Sequence, residues 1–187
     1  YETLTGLAHV PLVNILLDGA TGAAGVDNGE VALDIEMSMA MAPGLTSIIV
    51  YEEPNPGNPN TILNRMATDN RAKQLSASWT YPIDASSEQI FQQFATQGQS
   101  FFNASGDSGA YTTTISEPAD DPNLTSVGGT TLTTAGPGGA WVSEKAWNWY
   151  NNGSGTAGGG GGISTVYAIP VWQQGISRAS AWRPTRD

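Results

Sequence analysis

The sequence predicts an α/β domain built on a parallel sheet. Two observations carry this. Short β-branched or aromatic runs of strand length alternate with amphipathic stretches of helical period, and strand–helix–strand–helix–strand follows between Thr46 and Ser105. At 187 residues the chain is also long enough to bury a core.

In chain order, Asn28–Gly44 reads helical from about Glu30 to Met41, and Pro43-Gly44 ends it. Its apolar residues fall on most of the surface, which predicts a largely buried helix. Thr46–Glu52, "TSIIVYE", is a strand. Asn60 is the expected N-cap of a helix in which Ile62, Leu63, Met66 and Ala67 share a face. Gln74–Trp79 is a second strand. Ser86 with Gln89 forms a capping box, Ile90, Phe91, Phe94 and Ala95 form one apolar face, and Gly98 stops that helix. Ser100–Ser105 is a third strand.

Past Ala110 the texture changes. "TSVGGTTLTT" reads as one strand, with Gly128 and Gly129 marking a bulge or a close backbone approach. "GPGGAWVSEKAWNWY" reads as a hairpin, in which Trp147 and Trp149 pack. "NNGSGTAGGGGGIS" reads as a flexible glycine loop. A helical turn follows Pro170.

Composition narrows the function classes. Acidic residues outnumber basic ones 17 to 7, so no Lys/Arg cluster can neutralise phosphates and nucleic acid is excluded as a partner. The balance suits a protein that works in acid. There are no cysteines, which removes disulfides, thiolate metal sites and Cys nucleophiles. No apolar run reaches transmembrane length, so a membrane is not an expected partner.

Ligands in open parallel sheets bind beyond the carboxyl ends of strands. Ser78, Trp79 and the stretch "SGDSGA" (Ser105–Ala110) all stand at such ends. Glu30 and Asp34 are one helical turn apart on one face. Neighbouring carboxylates repel, and that repulsion is what makes one of them usable as a general base or acid. The bland alternative leaves both facing solvent.

"GDSG" raises Ser108 as a nucleophile. A trypsin-like triad needs a His and an Asp upstream in an all-β double barrel. The single histidine, His9, lies in a strand–helix–strand context instead. Ser108 is therefore expected to serve a tight turn, with Gly106 and Gly109 supplying unusual φ and Asp107 bonding backbone amides.

Taken in order, several segments resemble the sedolisin family, the serine-carboxyl peptidases of subtilisin-like fold. "GEVALDIEMSMAMAPG" resembles the family's Glu-x-x-x-Asp helix, "QLSASW" its Ser-x-Ser-Trp strand, and "ASGDSGA" its Ser-Gly-Asp-Ser-Gly turn. "TSVGGTTL", "EKAWN" and "GGGGISTVYAIPVWQQ" resemble later signatures.

The resemblance implies a subtilisin-like parallel sheet with helices on both faces. It implies an acid-active endopeptidase acting on protein or peptide substrates through an acyl-enzyme, in a secreted or acidic setting. Glu30 would be the general base and Asp34 would orient it and share its proton. Asp107, when protonated, would donate to the oxyanion. Ser78 and Trp79 would contact substrate.

Two family features are missing from the sequence: the Gly-Thr-Ser segment that carries the nucleophile and the calcium-binding loop near the C-terminus. The start looks clipped as well. Residues 1–187 are therefore expected to be one partial catalytic domain, truncated at both ends and inactive alone. No cofactor is expected in this chain, and calcium is expected for the complete family domain. A second chain carrying the C-terminal segment is a candidate partner. Rival readings are a non-catalytic peptide-binding scaffold and a carboxylate-pair glycosidase. Asn103, Asn123 and Asn152 open glycosylation sequons, the first of them in a strand.

Overall fold

Two parallel β-strands joined through a helix begin the architecture. The structure, a computed structural model, describes residues 1–150 and 155–175. The chain divides into two compact units, Tyr1–Lys73 and Gln74–Asp187. Among the described residues no helix is long and apolar enough to cross a membrane.

The first unit runs α1 (Glu2–Thr5), β1 (Leu12–Leu16), α2 (Asn28–Met41), β2 (Ile48–Glu52) and α3 (Pro59–Asp69). β1 and β2 pair in parallel, from Leu12 opposite Ile48 to Leu16 opposite Glu52. Parallel neighbours need a crossover longer than a hairpin turn, and α2 lies in it.

α3 starts one cap earlier than the sequence suggested. The Asn58 side chain accepts from the Asn60 amide, and Pro59 takes the first helical position. Proline has no N–H to leave unsatisfied and its φ is already helical, so the helix begins there and Asn60 falls inside it. Leu63 and Ala67 form its buried face. At its end Asp69 pairs with Arg65 at 2.8 Å and accepts the Tyr51 hydroxyl at 3.1 Å. Arg65 beside it holds the Asp69 carboxyl below the usual value.

The second unit opens with β3 (Gln74–Ala77), α4 (Ala85–Thr96) and β4 (Ser100–Ala104). β5 (Ser108–Ala110), β6 (Thr125–Val127), β7 (Thr130–Thr134), β8 (Trp141–Ala146) and β9 (Gly158–Gly161) follow. β3, β4 and β6 form a parallel sheet with β4 in the centre.

The cap of α4 is Asp84, not Ser86. Its carboxylate accepts from the Ser86 and Ser87 amides while Ser87 Oγ accepts from the Asp84 amide. A carboxylate at a helix N-terminus also meets the positive end of the helix dipole, an advantage that a serine lacks. Gly98 follows the last turn at φ +68°, as expected.

The core of this unit is aromatic. Phe91 and Phe94 of α4 and Phe101 of β4 are essentially fully buried. Their ring centroids stand 5.6–6.4 Å apart. Each such side chain contributes about 1.5–3 kcal/mol by burial. This packing seats α4 on β4. Ala95, expected on the same face, is exposed.

Two expectations are corrected past Ala110. "TSVGGTTLTT" is not one strand: β6 joins the parallel sheet, while β7 pairs antiparallel with β8 around a Gly136–Gly139 turn. The break falls at Gly128-Gly129, where the chain passes so close to Trp147 that a Cβ on Gly129 would lie 3.1 Å from its ring. Trp147 and Trp149 meet edge to face at 5.2 Å, as the packing expectation required.

The glycine run contains a strand where a loop was expected. β9 pairs parallel with β5. Composition predicts flexibility because glycine has little intrinsic order, but a run without side chains can also approach another backbone closely. A Cβ on Gly160 would overlap the Ser105 carbonyl. The turn after Pro170 is present as a short 3-10 turn, Val171–Gln173. Residues 151–154 of the predicted loop, and the tail from 176, lie outside the described residues.

Candidate active site

Glu30 and Asp34 both stand on α2, one turn apart, as the spacing required. Asp27 precedes the helix, and Glu30 in its first turn faces the positive end of the helix dipole. Both carboxylates are half-buried. The expected burial of this helix is corrected: Met39 is its one buried residue, and Leu33, Met37 and Met41 are exposed. Within its own unit α2 has only a two-stranded sheet and two further helices to pack against, too little to cover a helix whose apolar residues fall on most of its surface. His9 also lies in this unit. Its side chain is 77% exposed and bonds Glu2, not a serine. The Val10 amide and then His9 hold the Glu2 carboxyl below its ordinary value.

In the second unit, β3 and β4 end side by side. Ser78 and Trp79 follow β3 directly, Ser78 half-buried and Trp79 exposed at 42%. The Asn103 side-chain amide donates to the Trp79 carbonyl at 3.1 Å and to the Ala104 carbonyl at 3.0 Å. The strand end that carries Trp79 is thereby fastened to β4. Asn103 is 1% exposed, which also seals the first sequon.

Asp107 and Ser108 follow two residues beyond the end of β4 and are both exposed. Gly106 and Gly109 adopt φ +99° and +77°, as the turn reading anticipated. The closure differs from expectation, because main-chain atoms hold the turn and not the Asp107 carboxyl. The Gly158 amide donates to the Asp107 carbonyl at 2.8 Å, and the Gly160 amide to the Gly106 carbonyl at 2.7 Å. β9 is close enough to do this because it has no side chains, leaving the Asp107 carboxyl facing outward. Ser108 enters β5, and its carbonyl accepts the Tyr150 hydroxyl at 3.3 Å.

Ser78, Trp79 and Asp107 thus follow the carboxyl ends of two neighbouring parallel strands, β3 and β4, the end at which such sheets bind ligands. The structure sets Glu30 and Asp34 together on one helix of the other unit.

Sequence reasoning passed over a buried polar cluster in the second unit. Asp120 and Asp121 are 3% and 0% exposed. Ser164, 1% exposed, donates to Asp120 at 2.6 Å and accepts from the Val166 and Tyr167 amides. The Asn123 amide donates to Asp121 at 2.6 Å. The Tyr167 hydroxyl donates to Glu88. Burial, and then that bond, push the Tyr167 phenol far above its normal range; burial and the Asp121 charge do the same to Tyr81. The available signal was an acidic doublet between Pro118 and Pro122, which reads as an exposed turn unless its partner is known.

No protein-family model matches the chain. Three curated proteins do. It is 31% identical over 205 residues to sedolisin of Pseudomonas sp. (strain 101), covering 95% of this chain and 35% of that protein. It is 31% identical over 196 residues to kumamolisin of Bacillus sp. (strain MN-32), covering 93% and 34%. It is 29% identical over 228 residues to xanthomonalisin of Xanthomonas sp. (strain T-22), covering 94% and 27%. Over nearly its whole length the chain is similar to these three sedolisin-family proteins. A solved structure of Pseudomonas sedolisin (serine-carboxyl proteinase) complexed with two molecules of pseudo-iodotyrostatin matches with a TM-score of 0.81 at 28% identity. That match covers 99% of this chain and 56% of the sedolisin chain. The α/β architecture is therefore that of the sedolisin, subtilisin-like fold. The chain spans only about a third of the curated sedolisin relatives' length, between 27% and 35%.

Proposed function

We propose that this chain is part of an acid-active serine-type endopeptidase of the sedolisin kind. The observation that carries the reading is homology to sedolisins along nearly the whole chain, combined with a Glu30–Asp34 pair one turn apart on a single helix.

In this reading Glu30 takes the proton of the attacking serine. A carboxylate base suits acid, where a histidine would already be protonated. Asp34 orients Glu30 and shares that proton. Asp107, in its neutral form, donates to the oxyanion of the tetrahedral intermediate. Ser78 and Trp79 lie along the bound peptide, at the strand end that Asn103 holds in place. Protein or peptide substrates and a secreted or otherwise acidic setting follow from the same reading. Residues 1–187 form a partial catalytic domain whose nucleophilic serine comes from a further segment, in the same protein or in a second chain.

Calcium is expected for the complete family domain. Among the described residues no group of three His, Cys, Asp or Glu side chains is placed to hold a metal ion. The ion does not fit the residues described.

Assaying the purified chain on a peptide substrate in acid tests the reading. The expected result is no cleavage. Acid-stimulated cleavage that disappears in Ser108→Ala would overturn it and make Ser108 the nucleophile.

A further inference from the structure

We propose that Asp120 and Ser164 are positioning residues for Asp107, acting through the glycine strand β9. The proposal rests on the reading of Asp107 as the oxyanion acid.

The turn after β4 has little stiffness of its own. Gly106 and Gly109 flank Asp107 and Ser108 at positive φ, and the Asp107 side chain faces outward. What fixes its backbone is β9, through the Gly158 and Gly160 amides on the Asp107 and Gly106 carbonyls.

β9 is itself four glycines, which lose more conformational freedom on ordering than any other residue. It cannot hold its place by side-chain packing, so its ends must be tied. Upstream, the Trp149 amide bonds the Ala157 carbonyl and the Gly159 amide bonds the Trp147 carbonyl. Downstream, the Tyr111 amide bonds the Gly161 carbonyl, and, three residues on, Ser164 adds a buried side-chain tie.

The Ser164 hydroxyl is used completely: one donation to Asp120 and two acceptances from the Val166 and Tyr167 amides. The bond to Asp120 is short, as expected when the acceptor is a carboxylate. Asp120 is fixed in turn by the turns around it. The Ala119 amide bonds the Ser116 carbonyl, the Asp121 amide bonds the Pro118 carbonyl, and Asp121 accepts the Asn123 amide. A rigid path thus runs from the Asp120 loop through Ser164 and β9 to the Asp107 backbone. A misplacement of about 1 Å at a catalytic group can cost about a hundredfold in rate, so such a tether bears on the chemistry without touching it.

Amide hydrogen exchange of the whole chain by NMR tests this. In Ser164→Ala, exchange at the Gly158 and Gly160 amides should rise at least about tenfold, the loss expected for a buried hydrogen bond to a charged group. The Phe101 and Asn103 amides of β4 should stay within about twofold, because that strand is held by its neighbours and by α4. The carbonyl-carbon resonance of Asp107 should move as well. Ser164→Thr, which keeps the hydroxyl, should restore all three readings. Unchanged exchange at Gly158 and Gly160, or equal acceleration in β4, would overturn the proposal. If Ser164→Ala does not fold, Asp120→Ala, which removes the acceptor, decides by the same measures. Acceleration confined to β9 supports the tether, and unchanged or uniform exchange refutes it. None of these readings depends on peptidase activity, so a failure of the functional reading leaves them intact and separately testable.

Discussion

Replacing Gly160 by alanine puts the close approach of β9 to the test. A Cβ at that position would overlap the Ser105 carbonyl oxygen, stand 2.7 Å from its carbon and reach 3.1 Å from the Tyr111 ring. The obstacle is backbone, which cannot swing aside as a flexible side chain can. Overpacking of this kind costs about 1–3 kcal/mol. The shift also strains the Gly158 and Gly160 bonds to the turn, each worth about 0.5–1.5 kcal/mol net. The expected loss is therefore about 2–6 kcal/mol.

All six tryptophans lie in the Gln74–Asp187 unit, so their fluorescence in urea reports on the affected half. With a slope of about 2 kcal/mol/M, the midpoint should fall by about 1–3 M with the slope unchanged. Gly175→Ala, in the same unit as the tryptophans, is the control. That glycine is exposed, has open space where a Cβ would sit and needs no positive φ, so it should change stability by less than about 1 kcal/mol. A Gly160→Ala protein as stable as the parent would show that β9 does not lie against the Ser105 carbonyl.

Three further outcomes follow from packing, capping and charge. Phe94→Ala should destabilise the second unit by about 3–5 kcal/mol, read by the same urea titration, since the ring is fully buried among Phe91 and Phe101. Asn58→Ala should cost about 1 kcal/mol in the thermal unfolding of the first unit followed by circular dichroism, as expected for a lost N-cap. A neutral effect there would return the cap to Asn60. Burial and the Asp18 charge raise the Glu53 carboxyl, so the fold favours its protonated form. Its stabilising contribution is complete below the unfolded value and is lost as pH rises through the raised one. Glu53→Gln should therefore raise the melting temperature at neutral pH and lose that advantage below about pH 4. An equal gain at both pH values would contradict the assignment.

Periodicity alone located the elements that bury a regular face. The Ile90, Phe91 and Phe94 face, the Ile48–Glu52 strand and the Ser100–Ala104 strand were all legible because each side chain answers to its own helix or pleat. Caps were less legible. Asn58 and Asp84 each precede the residue that the pattern pointed to, because Pro59 and the charge of Asp84 move the first turn upstream.

The glycine strand could not be read, since its order is imposed by the backbone it approaches. The Asp120–Ser164 bond spans two segments far apart in sequence and has no local signature. Of the candidate site, the one-turn spacing of Glu30 and Asp34 and the strand-end placement of Ser78, Trp79 and Asp107 were visible in advance. The exposure of α2 was not, because apolar composition states what a helix can bury and not what is present to bury it.

The functional claim rests most heavily on Glu30. The deciding measurement is kcat for peptide hydrolysis in acid by the protein of the full open reading frame, with and without Glu30→Gln. Loss of a general base should lower kcat by about a hundred- to ten-thousandfold, with circular dichroism unchanged. An enzyme whose kcat survives Glu30→Gln would show that the base lies elsewhere and would contradict the account.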